Sequence, residues 1–262
     1  MKVVFRILKW LVLGVLGVLA VVFLVLSLDQ DAKPTGLTVE QRAAIVVRKE
    51  YSREVDEPRF DHLLREFGKK KSLAPGFELQ CLLALSHYPE LKDTPIDFIV
   101  GSVHWPLSSR PEILSTFFPP LERKYLVFIS DDSTRRFEPI LLKNTPFNEQ
   151  VAIIAHELGH SVYYQDKPAL QLVWIAYKYH FDRSFYLEFE RYGDELAIQR
   201  GLGYQMYDFA WFVRKAFGNS QEEIENDNDG GPYLNPKEIA REMEKYQFYN
   251  EPLATGDSYF AE

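Results

Sequence analysis

The residues of this chain best suited to chemistry lie in one pentapeptide, His156-Glu157-Leu158-Gly159-His160. On a helix, four residues bring the two imidazoles back to one face, one turn apart, where both reach a single metal ion. Glu157 is rotated about 100° from His156, so its carboxylate flanks the ion and can take a proton from an activated water. The neighbours Ile153, Ile154, Ala155, Leu158, Gly159, Ser161 and Val162 are uncharged, as in a buried helix with one polar edge. Three ionisable groups in such a helix are costly without a metal or partners.

A catalytic zinc takes three protein ligands and keeps a fourth position open. Asp166, six residues beyond His160, is one source of the third, but a sharp backbone turn would need glycine where Tyr163 stands. The segment 184–201 (SFYLEFERYGDELAIQRG) is the better source. There Glu190 shares a face with Gly193 and Ala197, whose small size allows a close approach to the histidine helix. Glu188 shares a solvated face with Arg191, Tyr192 and Glu195. Glu190 is therefore the expected third ligand, and Asp194 is expected to accept the free ring N–H of a ligating histidine. An oxyanion would need a further donor; no histidine follows His180, which leaves Tyr204, Tyr207 and Arg214 as candidates.

These groups need elements to position them. Helical spacing is expected over 38–50, with Thr38 as N-cap, and over 57–69 and 76–86. Between 95 and 144 the runs IDFIV, YLVFIS and PILLK, divided by Pro, Ser and Asp clusters, predict a small sheet of about three strands. From 146 the helical pattern returns, with Thr145 or Asn148 and Pro146 marking the start of the histidine helix. Further helices are expected near 168–180, 184–201, 204–217 and 236–248. Helices, a sheet, then helices give an α+β order.

HELGH followed about thirty residues later by Glu190-Arg-Tyr-Gly-Asp194 resembles the gluzincin metallopeptidases, in the HExxH plus ExxxD form of the CAAX prenyl protease branch and the minigluzincins. The likeness spans roughly 120–245 and is specific at only the motif positions. It implies a zincin-like catalytic domain with a small mixed sheet and an active-site helix. One Zn2+ per chain would be held by His156, His160 and Glu190, with Glu157 as general base and Asp194 behind the ligands. YLVFIS (125–130) would be the edge strand along which an extended peptide or protein substrate adds. The chain departs from that branch in showing one apolar span where several are usual, so no prenylated substrate is implied. Where some relatives carry His-Pro and a later Arg, Asn235, Pro236 and Arg241 stand here.

The chain has 262 residues, 46% of them apolar, enough for a sizeable core. Residues 10–28 form an apolar run broken only by Ser27. As a helix the run is nearly long enough to span the hydrocarbon layer, and it is longer than a signal-peptide core. The expected organisation is a transmembrane signal anchor at 1–28, a linker at 29–36 and a zinc metallopeptidase domain at 37–262. Lys2, Arg6 and Lys9 precede the run, which puts the N-terminus in the cytoplasm and the domain in the periplasm or outside the cell. Eight linker residues reach at most ~28 Å, so the domain works close to the membrane. Of the net charge of −8, residues 37–262 carry −10, which argues against nucleic acid and against electrostatic adhesion to anionic lipid. Cys81 is alone, so neither an intramolecular disulfide nor a thiolate metal site is available. Asp227, Asp229 and Gly230 suggest a calcium loop, but Pro236 occupies the position where its final Glu is required. The expected function is a membrane-anchored zinc endopeptidase. A catalytically silent binding module of the same fold and a zinc amidase acting on cell-wall material are the alternatives.

Overall fold

The computed structural model describes residues 6, 9–17, 37–132, 134–228 and 230–250. Thr38 opens the first helix after residue 36 with a capping box, its hydroxyl accepting from the Gln41 amide and the Gln41 side chain accepting from its own. That helix, α1 (Val39–Ala43), is shorter than expected. Ile45, Val46 and Val47 are β-branched, and Val47 and Tyr51 turn into the core, so 45–50 is not helical. α2 (Arg53–Asp56) and α3 (Phe60–Phe67) lead to the two-residue strand β1 (Lys71–Ser72) and to α4 (Glu78–Ser86), buried throughout 79–85.

Three further strands complete the sheet: β2 (Ile96–Gly101), β3 (Leu107–Pro111) and β4 (Tyr125–Ser130). The order is β1-β2-β4-β3, with β1, β2 and β4 parallel and β3 antiparallel to β4. The fold is therefore α+β with a small mixed sheet. Two expectations are corrected. YLVFIS is a strand, but an inner one: β3 covers its outer side, with Leu107 opposite Ile129 and Pro111 opposite Tyr125, and the edge belongs to β3. LSSRP lacks apolar alternation, a composition that an edge strand tolerates because one side of it borders solvent. PILLK is not a strand but two 3-10 turns, Glu138–Ile140 and Leu142–Asn144. Pro139 cannot donate to a ladder, and Leu141 and Leu142 are instead buried from the turns.

The remaining helices are α5 (Phe147–Gln165), α6 (Ala169–Phe181), α7 (Arg183–Ala197), α8 (Gly203–Ala216), α9 (Gln221–Glu225) and α10 (Pro236–Met243). Pro146, extended, precedes α5, and no side chain caps it. About 28 Å long, α5 packs against α4, α7, α8 and the strands β3 and β4, which buries it on nearly every side. A π-turn, Ile198–Leu202, joins α7 to α8. Gly201 has φ +92° there, and a Cβ would meet the Val46 carbonyl oxygen at 2.6 Å, so the turn takes both the backbone freedom and the small size of glycine. Of the expected membrane span, 9–17 is helical and 18–28 lies outside the described residues. Among the described residues, no helix is long and apolar enough to cross a membrane.

Candidate metal centre

Two helices make the centre by crossing closely. A Cβ on Gly159 of α5 would lie 3.3 Å from the Cα of Gly193 on α7, and a Cβ on Gly193 would lie 2.7 Å from the His156 ring. Glycine at both positions lets the backbones meet and leaves the imidazole lying directly over α7. The small-residue face read from the sequence, Gly193 and Ala197, is the face in contact; both are buried.

That crossing brings His156, His160 and Glu190 together, all buried, with one ligand atom of each within 4.8 Å of the others. His156 Nε2 lies 3.0 Å from His160 Nε2 and 3.4 Å from Glu190 Oε2, and His160 Nε2 lies 3.7 Å from Glu190 Oε2. Bonds of about 2.0–2.2 Å at tetrahedral angles put donor atoms about 3.3–3.6 Å apart. The three distances straddle that range, so the donor set fits a divalent ion in size and chemistry. Asp166 is not part of the group: it is exposed at the C-cap of α5.

The groups behind these three side chains are equally defined. His156 Nδ1 donates to Asp194 Oδ1 at 2.8 Å, which fixes the tautomer and turns the lone pair of Nε2 toward the cluster. Asp194 Oδ2 accepts the Leu234 amide at 2.8 Å, tying the loop before α10 to the same carboxylate. Glu190 Oε1 accepts the Tyr179 hydroxyl at 2.6 Å. His160 stacks on Phe189, ring centroids 4.3 Å apart and 5° from parallel. Within the His156–His160 segment, the buried atoms His160 Nδ1 and Glu157 Oε2 have no hydrogen-bond partner.

Burial pushes the Glu157 carboxyl up to about 8. Burial also opposes ionisation of Glu190, but hydrogen bonds to His156 and His160 outweigh it and hold that carboxyl well below the usual range. Burial likewise disfavours charging His156, yet the bonds to Asp194 and Glu190 raise it well above an ordinary imidazole.

The centre lies in a cleft of about 1290 Å³. β3 forms one wall, α6 and α8 others, and residues 226–228 and 231–234 line it as well. Of the oxyanion candidates, Arg214 lines the cleft with its Nε bonded to Asp227 Oδ2 at 2.7 Å. Tyr204 packs on Tyr249 and Tyr207 on Trp211, and neither ring is in the cleft wall. Asn235 is buried, caps α10 and donates to the Asp227 carbonyl, while Arg241 is exposed and bonds to its own helix. Sequence reasoning missed Tyr179 and also Tyr233, whose ring is 5.7 Å from that of His156. No spacing rule links either to the histidines, since each arrives from a separate element. His87 is structural: its ring nitrogens meet the Tyr51 hydroxyl and the Arg200 carbonyl, both at 2.7 Å.

Comparison with protein-family models, curated proteins and solved structures gives no match for this chain.

Proposed function

We propose that this chain is a zinc-dependent peptidase of the zincin type, with His156, His160 and Glu190 holding the metal. The observation that carries the reading is Glu157. It is buried beside the three converging ligand atoms with Oε2 unpartnered, an arrangement that costs stability unless the group has work to do. A zinc ion bound there would polarise a scissile carbonyl and acidify the attacking water. A divalent cation bound beside it would offset the burial that raises the Glu157 carboxyl, so that Glu157 is ionised, takes the proton from that water and passes it to the leaving amine. Asp194 keeps His156 in the tautomer that presents Nε2, and Tyr179 aims the Glu190 carboxylate.

An extended substrate fits the edge strand β3. Ser108, Ser109 and Arg110 line the cleft, and Ser109 Oγ lies 3.0 Å from Ser161 Oγ of the ligand-bearing helix. A peptide pairing along β3 would present its backbone to the centre. The apolar run at 10–28 and the basic residues before it support a membrane location for this activity, with the domain on the non-cytoplasmic side.

The test is Glu157→Gln, which preserves size and leaves all three ligands in place. Zinc content should stay near one per chain while cleavage of a peptide library falls by about 10² to 10⁴-fold. Undiminished cleavage by the variant sinks the mechanism. Zinc binding without cleavage by the parent favours a silent binding module.

A further inference from the structure

Among the described residues, the outward face of α6 carries a row of exposed apolar side chains. Leu170, Val173, Tyr177 and Phe181, at positions i, i+3, i+7 and i+11, form one stripe, 56%, 56%, 49% and 75% exposed. Trp174 stacks on Tyr177, and Tyr177 packs on Phe181, at 5.1 and 4.9 Å between centroids. The opposite face buries Leu172 and Ile175, so α6 is apolar on both sides. Lys178 is the only Lys, Arg, Asp or Glu in Ala169–Phe181. A second exposed group, Ile113, Leu114, Phe117 and Phe118, adjoins the first, because the turn Ser115–Phe117 packs against α6. An apolar surface this continuous marks a docking face.

We infer that this face, the outer stripe of α6 with the turn at 113–118, docks into the surface of the lipid bilayer. The occupant follows from three observations. The apolar run 10–28 precedes the domain by only eight residues, which reach at most ~28 Å and keep the domain against the bilayer into which the run inserts. The face carries Tyr177 and Phe181, with Trp174 stacked beside them and Phe117 and Phe118 on the adjoining turn, and aromatic side chains settle at a membrane–water boundary. The domain carries −10, so charge cannot hold it to anionic lipid, and shallow apolar insertion is the remaining force. The inference rests on reading 10–28 as membrane-inserted, not on peptidase activity. Its consequence is geometric: Tyr179 and its partner Glu190 lie on the inward side of α6, about one helix diameter, 10 Å, from the lipid. The cleft would then receive chain segments emerging from the membrane.

The experiment uses the full chain reconstituted into phosphatidylcholine vesicles. Nitroxide labels are placed on single cysteines at Leu114, Val173 and Phe181; Cys81 is buried, with its thiol pushed up to about 12, and stays unlabelled. Glu54 is the control, exposed on α2, where the neighbouring Arg53 lies over Phe147 at the far end of α5 from α6. The ratio of collisions with oxygen to collisions with an aqueous nickel chelate should be about five-fold higher at the three face positions than at Glu54. Val173→Glu with Phe181→Glu should return the Leu114 label to the control ratio. Equal ratios in the parent overturn the proposal. So does low collision with both reagents, which would mean that a second copy or another protein covers the face, and so does failure of the chain to float with the vesicles.

Discussion

Glu190 divides its carboxylate between two tasks. Oε2 faces the two histidine nitrogens, and Oε1 accepts the Tyr179 hydroxyl. Removing the hydroxyl leaves the donor set intact but frees the carboxylate to rotate, so Tyr179→Phe should weaken zinc binding roughly 10–100-fold. Glu190→Ala, which removes a donor, should weaken it further, and Asp166→Ala should leave it unchanged. Titration against a competing chelator ranks the three. If Asp166→Ala loses zinc while Glu190→Ala retains it, the ligand assignment fails. Glu190 was legible in the sequence because its face carries Gly193 and Ala197. Tyr179 was not, because its bond crosses the sharp turn between α6 and α7, where helical periodicity breaks.

At the scale of elements, the crossing of α5 and α7 decides whether a site exists. Gly193→Ala would gain helix propensity of up to about 1 kcal/mol. The new methyl, however, meets the His156 ring at 2.7 Å, and that ring is held by Asp194 and cannot turn aside without losing its hydrogen bond. Overpacking of this kind costs about 1–3 kcal/mol, so the variant should unfold at lower temperature and lose zinc together. Equal stability with full zinc would show that the helices can separate and that the close approach is not required. The edge strand was the element least legible: LSSRP reads as a polar connection, and only its pairing with β4 makes it a strand.

For the molecule as a whole, His87 joins distant parts of the chain, the Tyr51 hydroxyl on one side and the Arg200 carbonyl of the π-turn on the other. Burial lowers its imidazole to about 4, below the ordinary value of about 6.5 for an unfolded chain. Between those values the unfolded chain binds a proton that the folded one refuses, so stability present above pH 6.5 is lost as pH falls toward 4. The term is about 3 kcal/mol at most. His87→Gln can keep both hydrogen bonds without titrating, so urea unfolding at pH 7 and pH 4 should show a smaller acid loss in the variant by roughly 2 kcal/mol. Identical losses would remove His87 from the account. The histidine spacing, Glu157 beside it, the small face of the Glu190 helix and the α+β order were all legible in the sequence, because they depend on period and composition within one element. What tertiary structure alone decided is which strand is the edge, that PILLK turns and does not pair, that Tyr179 and Tyr233 reach the centre, and that no described residue covers the outer stripe of α6. Each of these depends on a partner far along the chain, and a residue pattern records the face that it offers but not what packs against it.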